Sequence, residues 1–109
     1  MCGICGFISK KTITIDSLRK MNDTMIHRGP DDHGEEIYEV GKGYSLGLAQ
    51  RRLAIQDLSP LGHQPMHSLD QRVSLVFNGE IYNFLELREE LKEYPFRSHC
   101  DTEVIIAAR

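Results

Sequence analysis

Two stretches crowded with glycine and proline, residues 27–34 (HRGPDDHG) and residues 57–68 (with Pro60, Gly62 and Pro65), divide the chain into pieces too short for long helices. Short strands and short helices must fill what lies between. Residues 5–8 (CGFI) read as a short buried strand, stopped by the polar run Ser9-Lys10-Lys11-Thr12. From Asp16, a residue suited to an N-cap, Leu18, Met21 and Met25 recur at helical spacing until Gly29-Pro30 ends the helix. Residues 36–40 and 44–55 are expected as strands, the second broken by Gly47 and by the pair Arg51-Arg52, and residues 57–68 as a long loop. Residues 73–77 (VSLVF) have the strongest strand character and run into Asn78-Gly79, a pair suited to hairpin turns because both tolerate positive φ. Asn83 stands before a helix with Phe84, Leu87 and Leu91 on one face. Asp101-Thr102-Glu103 reads as the cap and first turn of an apolar helix that runs to Arg109. A domain seldom stops one or two turns into a buried helix. Residues 1–109 are therefore expected to be a partial domain, the front portion of a longer one.

A chain of 109 residues holds at most one domain with a limited core. Its formal net charge of -3 and 7% aromatic content provide neither a basic stripe for phosphates nor a stacking platform, so nucleic acid is not an expected partner. The longest apolar run, Val104-Ile105-Ile106-Ala107-Ala108, is too short for a bilayer, and the start lacks a basic region followed by a long apolar stretch. The protein is expected to be soluble and cytoplasmic. Three cysteines, an odd number, fit a reducing compartment with free thiols.

Those thiols admit several readings. Cys2-Gly3-Ile4-Cys5 has redox-motif spacing but no preceding strand. Zinc would need Cys2, Cys5, Cys100 and one of five histidines, without a second Cys-x-x-Cys pair to support it. His63 and His67 flank Pro65 and read as loop or surface residues. Cys5, between Ile4 and Gly6, is simplest as a small core hydrophobe. Cys2 differs in kind. If Met1 is removed, it carries a thiol and a free α-amine of pKa about 7.7 to 8.0, so one residue supplies both nucleophile and base. Gly3 would then allow substrate and backbone to approach closely.

The blocks MCGICGF, HRGPDDHG, RRLAIQDLSPLGHQPM, FNGEIYNFLELREEL and SHCDTEV, in this order over nearly the whole chain, resemble the N-terminal glutaminase domain of glutamine-hydrolysing asparagine synthetases, within the class II glutamine amidotransferases. The resemblance implies an α+β fold of the N-terminal-nucleophile hydrolase type, a four-layer αββα sandwich of antiparallel sheets, of which this chain supplies the N-terminal portion. It implies that Cys2 attacks the glutamine side-chain carbonyl, with Asn78 and Gly79 as oxyanion donors. Arg52 would hold the α-carboxylate, Glu80 and Asp101 the α-ammonium, and Leu53, Ile55 and Gln56 would line the pocket. Taken from the residues alone, Asn78-Gly79 could equally be a hairpin turn, Asp101 a helix cap and Arg52 a solvated strand residue, the fate also expected for Arg51. Arg28 and Asp31 are assigned to a structural loop. No cofactor is expected in this chain; ATP and Mg2+ would serve a C-terminal synthetase domain outside it, where the ammonia would meet activated aspartate. An amidotransferase of the same type with a different acceptor is the alternative, a zinc-bound or structural module the third, and a homo-oligomer is admitted.

Overall fold

The computed structural model describes residues 2–53 and 60–109. Three strands form an antiparallel sheet in the order β1-β3-β2: β1 (Gly3–Ser9), β2 (Asp32–Glu39) and β3 (Ser45–Arg52). Helix α1 (Ile15–Asp23) lies between β1 and β2 in sequence. A second, smaller antiparallel pair joins β4 (Met66–His67) to β5 (Ser74–Leu75), and α2 (Phe84–Glu90) and α3 (Thr102–Ala108) follow. The molecule is thus a small α+β protein built on antiparallel sheets.

The register sorts the side chains of the larger sheet into two faces. Cys5, Ala49 and Glu35 are aligned across it, and so are Ile4, Gln50 and Gly34 on the opposite face. Helix α1 covers the first face: Asn22, fully buried, donates to the Gln50 carbonyl at 3.1 Å and to Glu35 Oε2 at 2.9 Å. Leu18, also with no exposed surface, packs from the same helix, and burial of such a side chain contributes about 2 kcal/mol. The second face meets the β4–β5 layer along β2. There, a Cβ on Gly34 would collide with the Gln64 carbonyl. His67 reaches Glu36 Oε2 at 2.7 Å, and its ring meets that of Tyr38 edge-on.

Several expectations are corrected by this arrangement. Strand β1 is longer than residues 5–8 and is only half covered, with Ile8 66% and Ile4 45% exposed, because the small second layer lies over β2 and leaves the β1 side open. Strand β3 is not broken at Gly47; the Phe7 ring of the neighbouring strand occupies the space where a side chain would stand. Nor is Arg51 solvated. It is 4% exposed, donating from Nε to the Gly29 carbonyl at 3.0 Å and pairing with Asp23 at 3.5 Å. The cap of α1 is Thr14, not Asp16, its hydroxyl accepting the Ser17 N–H at 3.2 Å. The hairpin lies at Gly41-Lys42-Gly43, three successive residues with positive φ, rather than at Asn78-Gly79. The expected strand over residues 73–77 shrinks to Ser74–Leu75, since the backbone of Phe77 bonds to glutamine side chains instead of to a strand.

Candidate active site

Cys2 immediately precedes β1, and its thiol lies against the residue that follows β3. The Leu53 N–H points at Cys2 Sγ at 3.4 Å, and the Leu53 carbonyl is 3.8 Å from the same sulfur. The Cys2 carbonyl accepts Nε–H of Arg28 at 3.0 Å. Arg28, expected as a loop residue, therefore braces the backbone that carries the thiol. Gly3 gives no open approach, because its missing side chain makes room for Met25, whose sulfur would lie 2.8 Å from a Cβ there.

The three cysteines occupy different environments. Burial, with Glu35 adding to it, pushes the Cys5 thiol above its ordinary value, which keeps its thiolate fraction small, although the side chain is half-buried and not the core residue expected. Cys100 is buried behind Thr102, at 3.3 Å from its hydroxyl. Among the described residues no group of three or more His, Cys, Asp or Glu could hold a metal ion, so the zinc quartet is not assembled.

Arg52, at the end of β3, is 6% exposed, and the bare Cα of Gly62 makes room for its guanidinium. It is not the solvated residue that its sequence position also allowed. Ile55 and Gln56 lie outside the described residues. Asn78, Gly79 and Glu80 form an exposed, irregular segment, and the structure records no hydrogen bond from Cys2 to Asn78 or Gly79 among the described residues. Asp101 stands at the N-cap position of α3 but makes no side-chain cap bond. Its Oδ2 accepts instead the Ile81 N–H at 2.7 Å, which brings this buried carboxylate beside Glu80. The structure thus joins Cys2 to Leu53, the residue that follows Arg52, and Asp101 to the segment carrying Glu80.

Three residues absent from the sequence-based set hold these pieces. Glu103, 2% exposed, accepts the N–H of Arg97 at 3.0 Å and both the N–H and hydroxyl of Ser98 at 2.8 and 2.7 Å, fixing the turn before Asp101. Gln64 Oε1 accepts the Phe77 N–H at 2.7 Å, and Gln50 Nε2 donates to the Phe77 carbonyl at 3.4 Å. The signal available in the sequence was a glutamine amid the apolar residues of a strand and another inside the HQPM run. A separate cavity of about 220 Å³ is lined by His63, His67, Arg97 and Glu103 and includes none of Cys2, Arg52, Asn78 or Asp101. No helix of the described residues is long and apolar enough to cross a membrane.

The family described as the glutamine amidotransferase domain matches residues 1–109. An asparagine synthetase (glutamine-hydrolyzing) 1 of Bacillus subtilis is 43% identical, over 98% of this chain and 17% of that protein. An asparagine synthetase (glutamine-hydrolyzing) 2 of Arabidopsis thaliana is 40% identical, over 96% of this chain and 18% of that protein. An amidase, chry2, of Gibberella zeae is 33% identical, over 98% of this chain and 17% of that protein. The chain spans less than a fifth of the length of these curated relatives. With the family match covering its whole length, the chain belongs to the glutamine amidotransferase domain family.

Proposed function

We propose that this chain is the glutaminase part of an asparagine synthetase and that Cys2 is its nucleophile. Removal of Met1 frees the Cys2 α-amine, which takes the thiol proton directly or through a water. The thiolate adds to the side-chain carbonyl of glutamine, and the oxyanion is held by the Asn78 amide and the Gly79 N–H; loss of one such donor costs roughly 3 to 4 kcal/mol of barrier stabilisation. The C–N bond then breaks. The ammonium form of the α-amine returns its proton to the departing nitrogen, leaving ammonia and a γ-glutamyl thioester. Water adds to the thioester, glutamate leaves, and the thiol is restored. Arg52 pairs with the α-carboxylate of glutamine, Asp101 and Glu80 with its α-ammonium, and Leu53, Ile55 and Gln56 line the pocket.

The observation that carries this reading is the seating of the Cys2 thiol against the Leu53 N–H, one residue beyond the buried Arg52. The placement of α1 on one face of the β1-β3-β2 sheet and of the β4–β5 pair against the other supports part of a four-layer sandwich, completed by sequence outside residues 1–109. The small share of each relative that is covered supports a C-terminal synthetase domain, which would bind ATP and Mg2+ and transfer the ammonia to aspartate in the cytoplasm. A second reading, an amidotransferase serving another acceptor, is favoured by the relative named an amidase. To test the shared first half, the protein is incubated with glutamine and with a thiol-directed glutamine analogue. The expected adduct maps to Cys2 on a chain lacking Met1, and Cys2→Ala and Cys2→Ser release no glutamate. Glutamate release by either variant at the parent rate would overturn the proposal.

A further inference from the structure

We infer that Gln64 is a positioning residue that locks together the two substrate-facing segments, 77–81 and 101–102. The inference deepens the glutaminase reading and rests on it. The residues it joins are Phe77, which carries the proposed oxyanion pair Asn78-Gly79, and Thr102, which follows the proposed ammonium partner Asp101.

Gln64 is 3% exposed, and its two amide atoms face in different directions. Its Oε1 accepts the Phe77 N–H at 2.7 Å and its Nε2 donates to Thr102 Oγ1 at 3.4 Å. One buried group must therefore accept and donate at once, a task that a carboxamide performs and that a carboxylate or a thioether does not. Phe77 belongs to no strand, so its N–H is met by this side-chain oxygen instead of by a strand partner, and an unmet amide in this half-buried position is costly. The carbonyl of the same residue is held by Gln50 Nε2 from β3, next in sequence to Arg51 and Arg52. Two side-chain amides thus stand where a neighbouring strand would be, leaving Asn78 and Gly79 exposed beyond a fixed backbone. The backbone of Gln64 is itself held, because its main-chain carbonyl packs directly on the bare Cα of Gly34 in β2. Asp101 closes the loop by accepting the Ile81 N–H at 2.7 Å.

The test uses Gln64→Met and Thr102→Val in the intact protein, each checked for folding by thermal melting. Gln64→Met loses both bonds. Its kcat for glutamine hydrolysis is expected to fall on the order of 10- to 100-fold, since small displacements of oxyanion donors are costly. Alkylation of Cys2 by iodoacetamide, which needs no oxyanion donor, should keep the parent rate. Thr102→Val retains Gln64 whole, so it should keep most of kcat while KM for glutamine rises about fivefold through the loosened Asp101 side. This split separates positioning from general destabilisation, which would move all readouts with the melting temperature. Amide exchange at Phe77 supplies a readout independent of activity and should accelerate in Gln64→Met alone. If Gln64→Met does not fold, the KM shift in Thr102→Val decides: its presence supports the inference and its absence overturns it. A folded Gln64→Met with parent kcat and KM overturns this inference alone, whereas a parent that releases no glutamate overturns the glutaminase reading and this one with it.

Discussion

Arg28 determines where the Cys2 backbone sits. Its Nε–H donates to the Cys2 carbonyl at 3.0 Å, and a hydrogen bond from a charged donor contributes about 1.5 to 3 kcal/mol. Arg28→Met keeps most of the side-chain stem and removes only this bond. Glutamine hydrolysis, followed as ammonia release, is expected to fall on the order of tenfold, with the adduct of the glutamine analogue still confined to Cys2. Parent-like turnover would show that the brace is dispensable. The resemblance carried by the sequence singles out Cys2, Arg52 and Asp101, whose proposed chemistry belongs to the side chain itself. Arg28 is legible only as a structural loop residue and Gln50 and Gln64 not at all, since their roles depend on which distant backbone groups they meet, 26 or 27 positions away for the first two.

Helix ends give a paired prediction at the level of elements. The hydroxyl of Thr14 accepts the Ser17 N–H, whereas Asn83, before α2, makes no side-chain cap bond. Thr14→Ala is expected to cost about 1 kcal/mol, and Asn83→Ala to stay within about 0.5 kcal/mol, as read from urea unfolding midpoints. Equal losses would contradict the two geometries. The same elements show what a sequence can reveal. Helices α1, α2 and α3 were legible because apolar spacing is a local signal, but their ends were not: α1 stops at Asp23 instead of at Gly29-Pro30, and neither Asn83 nor Asp101 makes a side-chain cap bond. Gly41-Lys42-Gly43 carried a hairpin signal in its two glycines, but Asn78-Gly79 drew attention away from it. The strand at residues 73–77 was overestimated, because its propensity was overruled by the side-chain amides of Gln50 and Gln64 at Phe77. Gly47 misled as a strand breaker, since only the Phe7 ring on the adjacent strand explains it.

Across the whole molecule, Glu35 fastens α1 to the sheet. Burial alone would raise its carboxyl, but hydrogen bonds from His33, Arg19 and Asn22 outweigh burial and hold it below the ordinary value of 4.5. A carboxyl depressed by folding stabilises the native state above its unfolded value, and that contribution is lost as pH falls through the lower native value. Urea midpoints should therefore drop as the solution is acidified below pH 4.5, and Glu35→Gln should flatten this acid limb while lowering the midpoint at neutral pH. An unchanged acid limb in Glu35→Gln would assign the loss to other carboxylates.

The contact of Gly34 with Gln64 has a consequence for all of this. With hydrogen where other residues carry carbon, position 34 works as a spacer of minimal thickness between two slabs of the protein. A single added methyl there would wedge the slabs apart at the point from which the loops proposed to bind glutamine are suspended. Such a change would register as slowed chemistry as well as a lower melting point, although no atom of residue 34 need ever touch the substrate.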